Sequence, residues 1–139
     1  MSWRIVLGAA PLALFVLATP AKADPCEGSL PGHPGVEFSG TVRYVGDGDS
    51  LCVGQTANPE EWIEVRIADF DAPELHRSGG EAAKAALARL ALSQPVVCTT
   101  KRGRSGRVIS FDRVIAVCRI GSTSIGELLR RAGVDEGGN

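Results

Sequence analysis

A guanidinium and two carboxylates lie close together in the stretch Val65–Glu74, where an apolar run ends in a polar turn. Arg66, Asp71 and Glu74 fall within nine positions of one another. Because Pro73 cannot donate a hydrogen bond to a sheet, a strand through this stretch must end near it. Planar guanidiniums bind phosphate oxygens and carboxylates bind hard cations, so the cluster contains the groups that a phosphate-and-metal site needs. The alternative is an ordinary strand end whose charged side chains are solvated.

A second acidic stretch lies upstream, in the glycine-rich segment Gly46-Asp47-Gly48-Asp49. Its composition predicts a tight turn between two strands, Ser39–Val45 and Ser50–Val53. If the next strand along the chain pairs with this hairpin, Asp49 and Asp71 meet within a few ångströms. Two carboxylates together with carbonyl and water oxygens suit calcium. Taken alone the turn is weak evidence, because Asp-Gly pairs also occur for purely conformational reasons.

The elements that must position these residues follow from hydrophobic patterning. The sequence predicts five strands and two helices, in this order: Ser39–Val45, Ser50–Val53, Trp62–Phe70, helix Glu81–Leu92, Val96–Thr100, Val114–Ile120 and helix Ser124–Ala132. A helix between the third and fourth of five short strands is typical of a small Greek-key OB barrel. We therefore predict an α+β, mainly β fold. In the first helix, Ala82, Ala86, Leu87 and Leu90 are the expected apolar stripe.

The first 23 residues have the pattern of a secretory signal. Arg4 precedes an apolar run, and Ala21-Lys22-Ala23 has the form of a cleavage site, which predicts a mature start at Asp24. We expect a secreted or periplasmic protein with an irregular lead-in over residues 24–38 and one domain over residues 39–139. The alternative is an uncleaved anchor, although no other stretch is apolar enough to span a bilayer.

Size and charge limit the possible functions of the mature chain. Its length of about 116 residues suits one ordinary domain with a sizeable core. The formal net charge is −1 for the whole chain and becomes −3 once Arg4 and Lys22 leave with the signal. This balance excludes a protein that coats nucleic acid non-specifically through excess positive charge.

Four cysteines remain in the mature chain, and an even number in an exported protein favours disulfides. Three connectivities are possible. Cys98 and Cys118 each end an apolar strand-like run, and two strands joined by a loop would place them side by side. We therefore expect Cys98–Cys118 first and Cys26–Cys52 second. Buried reduced thiols are the alternative.

Two motifs in order give the chain a specific resemblance. Gly46-Asp47-Gly48-Asp49-Ser50 is followed about sixteen residues later by Val65-Arg66-Ile67 and then Asp71-Ala72-Pro73-Glu74. Together they resemble the staphylococcal nuclease family, in which Asp-Gly-Asp-Thr precedes Arg-Leu-x-x-x-Asp-Thr-Pro-Glu. The likeness continues through Gly79-Gly80-Glu81-Ala82, Phe111–Ala116 and Ile125–Gly133, so it covers roughly residues 39 to 133.

The resemblance implies an OB-fold phosphodiesterase that hydrolyses DNA and RNA with calcium. It implies that Ca²⁺ is bound by the carboxylates of Asp49 and Asp71 and by the main-chain carbonyl of Ala72. Glu74 would position or deprotonate the attacking water. Arg66 and Arg113 would clamp the scissile phosphate, and Asp47 would support the metal ligands. DNA and/or RNA are then the expected partners of a monomer without a stable protein partner.

Three departures from the family pattern accompany the resemblance. Ala72 replaces the usual threonine, and Phe111-Asp112-Arg113 replaces the usual Tyr-Gly-Arg. Ser105-Gly106-Arg107 is a rival match to that motif, so Arg107 is the alternative to Arg113. The family's last helix has no counterpart in the few residues between the second predicted helix and Asn139. The base-stacking tyrosine near that helix has none either, because Tyr44 is the only tyrosine and comes too early.

Two other classes of function stay open at this point. The first is an OB module that binds nucleic acid or another ligand without hydrolysing it. The second is a disulfide-stabilised envelope protein with an interaction role. Binding that survives chelation without hydrolysis would favour the first, and no binding to nucleic acid would favour the second.

Overall fold

The structure is a computed structural model that describes residues 24–137, together with residues 14 and 17. The expected signal peptide, residues 1–23, lies outside this part of the chain apart from those two positions. The described residues form seven strands and two helices, in this order: β1 Glu37–Asp47, β2 Ser50–Gly54, β3 Ile63–Ile67, α1 Gly80–Ala91, β4 Pro95–Thr100, β5 Ile109–Ser110, β6 Arg113–Ile120, β7 Thr123–Ser124 and α2 Ile125–Arg131.

The five long strands close into a barrel. β1 pairs with β2 on one side and β4 on the other, β2 continues to β3, and β4 continues to β6, all antiparallel. A parallel pairing of β3 with β6, in register Arg66↔Ile115, closes the ring. The short strands β5 and β7 both attach to β6. This mainly β, five-stranded OB-type barrel with two helices confirms the predicted fold class.

Several strand boundaries differ from the sequence prediction by one to three residues, and two of these differences have a clear structural cause. β3 ends at Ile67 and not at Phe70, because the chain turns there and Arg66 donates hydrogen bonds to the carbonyls of Ile67 and Phe70. β1 begins at Glu37, inside the predicted lead-in, because Glu37 and the residues after it pair with β4. Both differences depend on the tertiary environment of the chain and not on local hydrophobic patterning.

The buried side of helix α1 differs from the apolar stripe that the sequence predicts. Its buried apolar residues are Ala83, Ala86, Leu87 and Ala91. Leu90 is half-buried and packs against the core, whereas Ala82 is exposed, so the prediction was wrong at Ala82. This packing brings the small side chain of Ala83 against the β1–β2 turn, where a Cβ on Gly48 would lie 2.6 Å from the Cβ atoms of both Ala83 and Ala72. Ala72 and Ala83 therefore leave no room for a Cβ at position 48.

The cysteines pair as Cys26–Cys52 and Cys98–Cys118. Cys98 and Cys118 are direct neighbours in the β4–β6 ladder, which is the side-by-side arrangement expected from the sequence. The first disulfide attaches the lead-in to β2. None of the described helices combines the length and apolar character needed to cross a membrane.

We expect Gly48→Ala to lower the free energy of unfolding by about 1–3 kcal/mol, because the new methyl group has no room between Ala72 and Ala83. Gly32→Ala is the matched control, since a Cβ at Gly32 meets nothing within 4 Å. Urea unfolding of the two variants and the parent chain measures the difference. Equal losses at both positions would contradict the close packing at Gly48.

Candidate active site

Arg66, near the end of β3, joins the two acidic stretches. Its Nη2 lies 2.8 Å from Oδ1 of Asp71 and 3.3 Å from Oδ2 of Asp49. Its Nη1 donates to the carbonyl oxygen of Phe70 at 2.8 Å and also to that of Ile67. One guanidinium therefore fixes the turn after β3 and brings together two of the predicted metal ligands.

Asp49 is the most buried of these carboxylates, with 6% of its surface exposed. Its Oδ2 accepts a 2.8 Å hydrogen bond from the backbone N–H of Ala72. Burial raises the pKa of the Asp49 carboxyl to about 7, with Arg66 acting in the opposite direction and Asp47 adding to the rise. The negative charge of Asp49 is thus incompletely compensated by its neighbours.

Asp47 supports Asp49 from within the same turn. Its Oδ1 accepts the backbone N–H of Asp49 at 3.0 Å. Burial alone would raise its pKa, but hydrogen bonds from Asp49 and Ser50 and the nearby charge of Arg113 together hold the pKa of Asp47 below its usual value. This arrangement fits the supporting role that the resemblance implies for Asp47.

Arg113 is the first residue of β6, the strand that pairs with the strand of Arg66. Ser110 pairs with Arg113, so the two residues between them form a two-residue hairpin turn. The first of these, Phe111, has a positive φ of 54°, which is common in such turns. Arg66 and Arg113 line one cavity of about 570 Å³, together with Asp71. The rival Arg107 does not line this cavity and lies in the loop before β5.

Glu74 is placed differently from the other predicted site residues. Its side chain is exposed and lines a neighbouring cavity with Arg77, Gly79 and Ala83, next to Pro73. The structure therefore brings Asp49, Arg66 and Asp71 into contact and places Arg113 in the cavity that Arg66 and Asp71 line. Glu74 lies outside that cavity.

The oxygen donors near Arg66 suit a hard cation. Asp49 and Asp71 converge on one nitrogen atom, and Ala72, whose carbonyl is the third expected ligand, is held to Asp49 through its N–H. Within residues 24–137, no group of three or more histidine, cysteine, aspartate or glutamate side chains is arranged to hold a metal ion by itself. Because Ca²⁺ takes six to eight oxygens, water and substrate phosphate would have to complete the set. With that completion, the carboxylates of Asp49 and Asp71 and the carbonyl of Ala72 would fit a calcium ion.

Sequence reasoning missed Glu136, which approaches the site from the segment after α2. Its Oε1 accepts the backbone N–H of Asp71 at 3.3 Å and lies 3.6 Å from Nη2 of Arg130. The N–H of Gly137 donates to the carbonyl of Asp71 at 2.7 Å. Glu136 is 65 positions from Asp71, and no local pattern in the sequence indicates this contact.

Sequence reasoning also missed a further cavity, which we call the acidic cleft. It meets the Arg66–Arg113 cavity at Arg113. Five of the described residues that line the acidic cleft have carboxyl groups: Asp24, Glu27, Asp47, Glu64 and Asp112. Burial, followed by a hydrogen bond and charge repulsion from Asp24, raises the pKa of Glu64 to about 7. Glu64 precedes Arg66 by two residues on β3, so both side chains lie on the same face of the strand.

Comparison with known proteins shows a partial likeness to a bacterial protein. The chain is 33% identical over 109 residues to Protein ParB of Escherichia coli, an alignment that covers 78% of this chain and 52% of that protein. The chain thus spans about half the length of this relative. No protein-family model matches the sequence.

The raised pKa of Glu64 predicts a pH-dependent contribution to folding. Because the pKa is higher in the folded protein than its ordinary value of 4.5, the contribution is fully present below pH 4.5 and is lost as pH rises through about 7. As pH rises through this range, the free energy of unfolding of the parent chain should therefore fall relative to that of a Glu64→Gln variant. Urea unfolding in the presence of chelator measures this difference.

Asp24→Asn tests the stated cause of this trend. Removing the Asp24 charge should shrink the pH-dependent stability difference that Glu64→Gln produces, because Asp24 contributes to the raised pKa of Glu64. Stability curves of the parent chain and Glu64→Gln that run parallel from pH 4 to pH 8 would contradict the assignment.

Proposed function

We propose that this chain is an exported, calcium-dependent nuclease of the staphylococcal nuclease type, which hydrolyses phosphodiester bonds of DNA and/or RNA. The observation that carries the proposal is that Arg66 contacts the carboxylates of Asp49 and Asp71 and lines one cavity with Asp71 and Arg113. Guanidiniums that bind phosphate beside carboxylates that bind a cation are the arrangement that phosphodiester hydrolysis requires.

The two arginines would bind the scissile phosphate. A planar guanidinium donates two parallel hydrogen bonds to a phosphate, which orients the phosphate and neutralises charge that develops on its oxygens. Hydrogen bonds to Asp71 and to the Phe70 carbonyl hold Arg66 in one orientation before substrate binds. Such preorganisation lowers the reaction barrier because the donors need not be reoriented during the reaction.

Glu74 would accept the proton of the attacking water. Its carboxylate lies in the neighbouring cavity, so this role requires its side chain to turn toward the Arg66–Arg113 cavity across Pro73. The side chain is exposed, which leaves it room to rotate. Glu74 follows Ala72 by two residues, which keeps the proton acceptor next to the expected metal ligands.

A calcium ion held by Asp49, Asp71 and the Ala72 carbonyl would supply Lewis-acid stabilisation of the phosphate. The protein contributes the ligand positions, which are fixed by the Asp47 side chain and by the hydrogen bond from Ala72 to Asp49. Two disulfides are compatible with the oxidising compartment that an export signal implies.

A second candidate function is an OB module that binds nucleic acid without hydrolysing it. The position of Glu74 outside the Arg66–Arg113 cavity favours this alternative. Such a module would keep the two arginines for phosphate binding and would need neither calcium nor a proton acceptor.

The deciding experiment is hydrolysis of single-stranded DNA by residues 24–139, with calcium and with chelator. We expect calcium-dependent cleavage, and a loss of about 10²-fold or more in kcat for Glu74→Gln, because that change removes the proton acceptor. Glu60→Gln removes an exposed carboxylate on the short 3₁₀ turn Pro59–Glu61 and serves as the control. Binding without cleavage under any divalent cation would instead establish the non-hydrolytic module.

A second experiment separates the two candidate phosphate-binding arginines. Arg113→Gln should lower kcat by about 10²–10³-fold, because it removes a donor aimed at the developing phosphate charge. Arg107→Gln should act more weakly and through KM, since Arg107 lies outside the cavity. Steady-state kinetics of both variants measure this, and a large fall in kcat for Arg107→Gln alone would transfer the role to Arg107.

A further inference from the structure

Two cavities that differ in charge meet at Arg113. On one side is the Arg66–Arg113 cavity, whose described lining balances three arginines against three residues with carboxyl groups: Arg66, Arg104 and Arg113, and Asp69, Asp71 and Glu136. On the other side is the acidic cleft, in which Arg113 is the only basic residue among the described lining residues and faces five carboxyl groups. Processing after Ala23 would add one ammonium group at Asp24 and would leave the cleft with an excess of carboxylates.

One of these three arginines, Arg104, belongs to a segment that we call the basic loop, Lys101–Arg107. It contains four basic residues, which are Lys101, Arg102, Arg104 and Arg107. All four are exposed, so these charges face solvent and not the core. The loop therefore presents a positive surface at one edge of the proposed active site.

The basic loop has a defined shape. Gly103 donates to the carbonyl of Arg107 at 2.8 Å, Gly106 donates to that of Gly103 at 2.9 Å, and Arg102 Nη1 donates to that of Gly106 at 2.9 Å. These bonds close the loop on itself. The positive charges are thus held in a folded turn and are not spread along an extended segment.

Hydrogen bonds and packing also fix the loop to the barrel beside Arg66. The N–H of Lys101 donates to the carbonyl of Ile115 at 2.8 Å, and a Cβ on Gly103 would lie 2.5 Å from Cδ1 of Ile115. Ile115 is the register partner of Arg66 in the β3–β6 pairing. Arg104, near the tip of the loop, consequently borders the cavity that Arg66 and Arg113 line.

The acidic cleft is fixed to the barrel as well. The Cys26–Cys52 disulfide holds the lead-in against β2, and Glu27 and Gly28 donate backbone hydrogen bonds to the carbonyls of Pro59 and Trp62 at 3.0 and 2.8 Å. The carboxylates of Asp24 and Glu27 therefore stay near Glu64, which β3 itself carries. Phosphates that entered this cleft would meet several carboxylates at close range.

We propose that a polynucleotide strand extends from the active site along the basic loop and does not continue through the acidic cleft. Phosphates on only one side of the scissile bond then contribute to binding. Phosphates on the other side are repelled, so cleavage occurs preferentially near one end of a strand. This inference rests on the proposed nuclease function, and it adds which part of the substrate is bound and by which surface.

The test uses single-stranded DNA decamers in which neutral methylphosphonates replace the phosphates on the 5′ side of a central linkage, on its 3′ side, or on both. Cleavage at the central linkage is followed from product lengths at early times, at pH 8.5 in calcium. Neutralisation on one side should raise KM by about tenfold, since charge-assisted hydrogen bonds are lost. Neutralisation on the other side should leave KM unchanged or lower it.

Three variants assign this asymmetry to its source. Arg104→Gln should remove most of the response to neutralisation on the sensitive side and reduce the slope of log KM against log salt by about 0.7. Glu27→Gln should improve tolerance of phosphates on the other side. Arg119→Gln is the matched control, because Arg119 is exposed beside Ser39 and Pro95, in a different cavity.

The outcomes separate the inference from the proposed function. Cleavage with equal sensitivity on both sides, or with equal effects of Arg104→Gln and Arg119→Gln, would overturn the one-sided strand and leave the nuclease intact. If no decamer is cleaved, the nuclease proposal fails, and fluorescence anisotropy of the same labelled decamers decides the inference. Equal weakening of binding by neutralisation on either side would then overturn it.

Discussion

The contact of Arg66 with two carboxylates is the interaction on which the proposed site depends. Burial penalises the charge of Asp49, and Arg66 is the cation that offsets this penalty. The same guanidinium binds Asp71 and two carbonyls of the turn after β3. Loss of Arg66 would leave a buried carboxylate without its cation and a turn without its donor, so the arginine is structural as well as a candidate phosphate ligand.

Sequence reasoning succeeded where the determining contacts are local or follow from strand pairing. Arg66 and Asp71 are five positions apart, and the prediction that Asp49 approaches them required only that β2 and β3 be neighbours. The barrel followed from the order of strands and helix. The Cys98–Cys118 pair followed from two strands that lie side by side.

The features that sequence reasoning missed are determined by long-range packing. The packing of α1 on the barrel places Ala83 and not Ala82 close to Gly48 and Ala72. Glu136 contacts Asp71 across 65 positions of the chain. The acidic cleft around Glu64 likewise joins segments that are far apart in sequence. Hydrophobic periodicity carries no information about such contacts.

Asp71 shows why the segment after α2 matters for the site. Its side chain accepts from Arg66, its N–H donates to Glu136, and its carbonyl accepts from Gly137. These partners come from two separate parts of the molecule, the barrel and the C-terminal segment, and together they restrict both the backbone and the side chain. As a proposed metal ligand, Asp71 would have to be held to within about 0.5 Å, and two independent supports achieve this better than a loop alone. The C-terminal segment is therefore part of what positions the candidate site, although the proposed chemistry uses none of its side chains.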